Sequence, residues 1–281
     1  MRKLYQTLLA GIIFVTLLGS TACSVERKIA KHYINKADSV SIMVLFPSNV
    51  FVVNEKATES RGSFLFAEAQ QDTSLLNSSL LLPLLNDDSI LQPFRTSFLK
   101  ELKQYHYNVY ELSQMEEFMK LSGKAYFLNI AQIELQEYLT VYEDAITVGE
   151  QVYTKSIYLN GINIGSWFEV STVDSKEGEN YFPVLFATHD LTDRWNGYFT
   201  QKFLTGEIEY RLNIDTLTTA DVKTFASYLG RLYGAYTFDY LMNKEIIKKV
   251  PSQNRTDIYY RYDPYKQMIF ITEEDKFVEI E

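Results

Sequence analysis

Ser41-Ile42-Met43-Val44-Leu45-Phe46-Pro47 is where the fold begins to read. Ile42 to Phe46 is apolar without a break, the pattern of a strand covered on both faces, and Pro47 ends it because it donates no ladder hydrogen bond. Phe51 to Val53 is a second short strand or a continuation past a bulge. Beyond it, residues 54–88 read as a long insertion with a helical piece, since Leu75, Leu76 and Leu80 to Leu85 are interrupted by Asn77, Ser78, Ser79 and Pro83.

The helical period then becomes clear. Asp87 or Asp88 reads as an acidic cap before Ile90, Leu91, Phe94, Phe98, Leu99 and Leu102, an i, i+3/i+4 stripe ending near Tyr105. Tyr107 to Tyr110 is a strand. Ser113 with Glu116 forms a capping-box pattern for a helix that Gly123 ends. Ala125 to Leu139 alternates as a strand. Val152 to Leu159 and Ile162 to Val173 follow, separated by Asn160-Gly161, a hairpin signal. Asp174 to Asn180 reads as a polar turn and Phe182 to Phe186 as a buried strand. Leu191 to Leu204 has amphipathic helical spacing, with Trp195, Tyr198, Phe199 and Phe203. Thr218 or Thr219 caps a helix running to about Lys249, before Pro251, and Gly230 and Gly234 on it allow close helix approach. Ile258 to Ile280 reads as one or two hairpins. The expected class is α/β or α+β, a mixed β-sheet flanked by helices, with a long C-terminal helix and a β-hairpin. Residues 41–281 are taken as one domain.

The 281 residues carry 46% hydrophobic side chains and a formal charge of −9. The first value excludes a wholly disordered chain, and the second removes the basic footprint that wrapping nucleic acid requires. A single cysteine excludes an intramolecular disulfide and any multi-cysteine metal cluster.

That cysteine stands at the end of an export-signal layout. Arg2 and Lys3 precede the apolar run Leu8 to Leu18, whose 11 residues would rise only about 16 Å as helix, short of a bilayer core of about 30 Å. Gly19-Ser20-Thr21-Ala22-Cys23 resembles the lipobox of bacterial lipoproteins, with Ser20 where Leu is usual. The resemblance implies a signal peptide over 1–22, acylation of Cys23, membrane attachment through lipid, and a tether or loose helix over 23–40. Ser24 lacks the Asp that marks inner-membrane retention in the enteric family, so it implies the outer membrane, with the periplasmic or surface side open. The alternative is an ordinary secretory signal with a chance cysteine.

The order Ser41–Phe46, Ile90–Tyr105, Tyr107–Tyr110, Ser113–Leu121, Tyr126–Leu135 is strand, helix, strand, helix, strand. Through Ile42 to Pro47, Phe94 to Tyr110 and Ala125 to Ile130 it resembles the α/β domain of envelope-assembly lipoproteins of the curli-secretion and penicillin-binding-protein activator type. That resemblance covers about a third of the chain and implies a non-enzymatic binding module with an envelope protein partner.

The chemistry-bearing residues are few. There is no Gly-x-Ser-x-Gly, no Walker loop and no Gly-x-Gly-x-x-Gly, and nothing calls for a cofactor or metal. His189, Asp190 and Asp193 form the one compact acid–base constellation, the basis of an alternative reading as an envelope hydrolase. The competing reading has Thr188, Asp190 or Thr192 capping a helix from Leu191. The 21 tyrosines are the unusual feature. Tyr259, Tyr260, Arg261, Tyr262 and Tyr265 are dense enough for a partner-binding surface or for stacking against a glycan, and equally suit an edge hairpin covering a core.

Overall fold

The computed structural model describes residues 25–56, 78–121, 124–173 and 182–280. Residues 1–24 with Cys23, most of the insertion expected over 54–88, Gly123 and the polar turn expected over 174–180 lie outside them.

The chain is mixed α/β. Strands β1 (Ser41–Leu45), β3 (Asn108–Tyr110) and β4 (Ala125–Val148) run parallel, with β1 between the other two. β5 (Gln151–Thr172), β6 (Val184–Thr192) and β11 (Val278–Ile280) continue the sheet antiparallel from β4, giving the order β11-β6-β5-β4-β1-β3. β2 (Phe51–Asn54) also pairs parallel to β4, over Glu134–Glu137. Helices α1 (Val25–Ile34), α2 (Asp87–Gln104) and α4 (Thr219–Lys249) build the main core, which includes Ile42 and Val44. Met43 packs into a smaller cluster with Phe118 of the short helix α3 (Met115–Phe118) and Ala125. With neighbours claiming alternate side chains of β1, its apolar run has no gaps.

The expected long helices form, with altered caps. Asn86, not an aspartate, caps α2: its side chain accepts from Ser89 N–H and its own N–H donates to Ser89 Oγ. Asp87 instead accepts the Val50 amide at 2.8 Å. Before α3 the capping box is Glu111 with Gln114, opening a 3₁₀ turn over Leu112–Gln114 in place of the Ser113 cap. Thr218 caps α4 as expected, reciprocally with Asp221. A Cβ on Gly230 would lie 2.2 Å from the Phe94 carbonyl oxygen, and one on Gly234 would lie 2.9 Å from Glu101 Cβ. The glycine pair therefore sets how closely α4 approaches α2.

Three expectations are corrected. Asn160-Gly161 is not a turn but lies inside β5, where the Tyr138 ring of the facing strand covers the glycine and leaves no room for a Cβ. The hairpin falls at Gly149-Glu150, with Gly149 at φ +65°. Leu191 to Leu204 is not a helix: Arg194–Gln201 is β7, paired antiparallel with β8 (Ile208–Asp215). This hairpin packs on the distal half of the β4–β5 ribbon, with Trp195 against Tyr142 at 4.6 Å and Tyr210 Oη donating to Asp144 at 2.9 Å. The third concerns 23–40, expected as a tether or loose helix: a helix does form, α1, but it is packed, with Ala30, Tyr33 and the following Ala37 buried in the main core.

Glu137, in mid-β4, is wholly buried beside Lys56, whose Nζ lies 2.7 Å away. The carboxylate also accepts from Ser79 Oγ at 2.6 Å and from the amides of Leu80, Leu81 and Leu82. Burial alone would push its pKa up, but Lys56, Ser79 and the Leu80 and Leu81 amides outweigh burial and bring it to about 2. A carboxyl depressed in the folded state contributes stability above its unfolded pKa and loses it as the pH falls through the folded one. Glu137→Gln leaves the Lys56 ammonium without its counter-charge, and the expected cost at pH 7 is about 3–5 kcal/mol. Urea unfolding across pH should show the gap between parent and variant closing between 4.5, the ordinary carboxyl value, and 2. A gap of constant size would exclude the ion pair as its source.

Candidate functional site

The C-terminal hairpin, β9 (Tyr259–Asp263) and β10 (Met268–Thr272), docks on α4 through its β9 edge. Asp239 and Asn243, four residues and about one turn apart on the helix, face alternate residues of the strand. Asn243 accepts the Tyr260 amide at 2.9 Å and donates to the Tyr260 carbonyl at 2.6 Å. Asp239 Oδ1 accepts the Tyr262 amide at 2.8 Å. Two side chains thus stand in for a partner strand, because a helical rise of about 6 Å per four residues nearly matches about 6.7 Å per strand dipeptide. The Tyr262 carbonyl is satisfied by Tyr105 Oη at 3.2 Å.

Beside this contact, α4, the end of α2 and the hairpin enclose a groove of about 550 Å³. Tyr105, Tyr228, Tyr262, Tyr265 and Phe270 supply its rings, Arg231, Arg261 and Lys266 its cations, and Glu101, Asp263 and Asp275 its carboxylates. The Arg261 guanidinium donates to Asp275 at 2.7 Å and lies over the Tyr236 ring at 5.8 Å. Its Nε stands 3.8 Å from Asp239 Oδ2, which has no hydrogen-bond partner among the described residues. Burial pushes the Asp239 carboxyl well up, against the downward pull of the Tyr262 amide and Arg261. Glu101 is raised by burial as well, partly offset by Arg231 and by Tyr265, whose Oη lies 3.4 Å from it.

Of the five residues expected at a contact surface, Arg261, Tyr262 and Tyr265 line this groove. Tyr265 is 69% exposed, whereas Tyr262 packs against Phe238 and Tyr105. Tyr260 is buried, 2% exposed, with its hydroxyl donating to Glu26 at 3.1 Å. The Tyr259 hydroxyl is buried without a hydrogen-bond partner among the described residues, and its ring lies under Lys276. Tyr260 thus serves the core, while Tyr259, on the opposite face of β9, lines a cleft with Tyr240 and Lys276.

His189, Asp190 and Asp193 are not brought together. His189 and Asp190 are neighbours on β6 and point to opposite faces. His189 Nδ1 meets the Tyr233 hydroxyl at 3.0 Å, and burial lowers its pKa against the upward pull of Asp275 and Asp190. Asp190 accepts from Asn163 on the exposed face. Asp193 is buried and accepts the amides of Asn160 and Leu217, holding a corner, and the helix expected from Leu191, with Thr188, Asp190 or Thr192 as its cap, does not form. Among the described residues no cluster of three His, Cys, Asp or Glu has metal-site geometry, and no helix is long and apolar enough to cross a membrane.

Sequence reading missed Glu101, Arg231, Asp239 and Asn243. The signal for the last two was present: they fall on the buried side of a helix otherwise lined by Tyr236, Tyr240 and Ile246, and polar residues there require partners. No family model, curated protein or solved structure matches the chain.

A carboxyl raised in the folded state costs stability as the pH climbs above its unfolded pKa, because the unfolded chain ionises first. The parent should therefore lose stability from Asp239 as the pH rises above 3.8, the ordinary aspartate value. Asp239→Asn keeps an acceptor for the Tyr262 amide and removes that slope. Urea midpoints should move in the variant's favour between pH 4 and 7, while Asp239→Leu, which removes the same slope but orphans the amide, should lie about 1–3 kcal/mol below Asp239→Asn at every pH.

Proposed function

We propose that the protein is a bacterial envelope lipoprotein, anchored at the outer membrane through acylated Cys23, whose folded part is a non-enzymatic binding module for an envelope protein. The groove under the C-terminal hairpin is the observation that carries this reading. Tyrosine and arginine dominate the energetic centres of protein interfaces, and the groove presents both beside each other, with Arg231 over the Tyr228 ring at 5.7 Å. Its volume lies within the usual range of ligand clefts. The hydrolase reading has no comparable support, because its three residues face different ways. Glycan binding is the second reading, favoured by the exposed rings of Tyr228 and Tyr265 beside the Glu101 carboxyl.

Native envelopes cross-linked and captured through a C-terminal tag provide the test. Tyr228→Ala, Arg231→Ala and Tyr265→Ala should each weaken capture of a stoichiometric partner by tenfold or more, a loss of about 2 kcal/mol at an interface centre, without lowering the melting temperature. Unchanged capture by all three would move the site elsewhere. Retention on polysaccharide columns that the same variants lose, without protein capture, would favour the glycan. Cys23→Ser should leave the protein out of the membrane fraction and abolish palmitate labelling.

A further inference from the structure

Cys23 lies two positions before Val25, where α1 begins. Two residues reach at most about 7 Å, so an acylated Cys23 would hold the first turn of α1 at the headgroup level. That turn is fixed to the rest of the fold. Glu26 is buried and accepts from Thr256 N at 2.9 Å, Thr256 Oγ1 at 2.7 Å and Tyr260 Oη at 3.1 Å. Arg27 donates to the Ile269 carbonyl at 3.0 Å. An anchor placed here fixes which side of the domain faces the lipid.

We propose that this side, the surface around Glu26 at the C-terminal third of α4, docks directly on the bilayer. The inference rests on the reading of Cys23 as acylated. A cleft of about 360 Å³ opens there, with Ile247, Ile258, Arg255 and Lys276 on its walls beside Asp257 and Glu279, the latter paired with Lys244. Val25, Ile247 and Ile258 are exposed apolar side chains. Arg255 and Lys276 make no ion pair with a carboxylate among the described residues, although Arg255 Nε donates to the Val250 carbonyl and Lys276 lies over Tyr259. Apolar side chains at the acyl boundary, with cations at phosphate depth, are what a lipid interface accommodates. The other prominent apolar feature is Phe203, at the β7–β8 turn and 99% exposed. It belongs to the hairpin that leads into the N-terminal end of α4, a helix of 31 residues spanning about 46 Å, and falls on the aqueous side.

The test uses the full chain, processed in its envelope and reconstituted into vesicles of phosphatidylethanolamine and phosphatidylglycerol. With Cys23 acylated, Ile247→Cys, Ile258→Cys and Phe203→Cys each supply a single thiol for a nitroxide label. Relative to the same label on the Cys23→Ser protein free in solution, collision with a water-soluble nickel relaxant should fall roughly fivefold at positions 247 and 258 and stay unchanged at 203, as burial in the headgroup region requires. No fall at 247 and 258, with the parent unlabelled, would overturn the docking and leave the anchor standing. Labelling of the parent itself would show a free Cys23 and remove the anchor and the docking together.

Discussion

The buried pair of Lys56 and Glu137 is the constraint to which the largest number of separate segments is tied. Glu137 gathers Ser79 and three successive amides, so it fixes the strand that precedes the 57–77 segment and the turn that follows it to one point on β4. Lys56 then donates to Asn160 on β5 at 2.8 Å, Asn160 donates to Asp193, and Asp193 accepts the amide of Leu217 just ahead of the α4 cap. Six segments far apart in sequence meet in one polar chain. Each member is bonded on more than one side, the condition under which a buried charge pair is tolerated, and loss of any one leaves a desolvated neighbour unpaired.

From that fixed entry, α4 is aimed across the sheet and everything in the groove follows from its faces. Gly230 and Gly234 bring it against Phe94, Phe98 and Glu101 of α2. The next turns present Asp239 and Asn243 to β9, so the same helix that closes the core also positions the hairpin. Arg231, Tyr228 and Arg261 come into one groove because α4 and the hairpin are joined by side-chain bonds to backbone, which fix register as a strand ladder does.

The parts of this arrangement legible in the sequence are those where local and tertiary preference agree. β1 reads correctly because apolar neighbours claim both of its faces, and α2 and α4 because their stripes exceed four turns. Leu191 to Leu204 misleads because Trp195, Phe199 and Phe203 fit a helical period as well as a strand's alternation. Pairing with β8 and the contact of Trp195 with Tyr142 settle it, and neither is local. Asn160-Gly161 misleads for a related reason. Its glycine is required by the Tyr138 ring across the ladder rather than by a turn, and its asparagine by Lys56 and Asp193. In the groove, the hairpin residues stood out by composition, whereas Glu101 and Arg231 are ordinary helix residues until α2 and α4 converge.

The tyrosines illustrate how a dense aromatic tract differs from a surface. Several are core side chains whose hydroxyls find each other or a distant polar group: Tyr33 with Tyr107 at 2.6 Å, Tyr233 with His189, Tyr260 with Glu26. Burial of phenols on this scale demands that each polar tip be matched, which makes the interior specific as well as apolar. The matching stops where the hairpin meets α4, at Asp239 Oδ2 and the hydroxyls of Tyr240 and Tyr259. Those atoms hold hydrogen-bonding capacity that the described protein atoms leave unused, and they sit between the groove and the Glu26 cleft. The seam that orders the hairpin therefore combines four bonds from side chains to the β9 backbone with three polar atoms left unmatched among the described residues, so register is fixed by the backbone bonds and not by the side-chain tips.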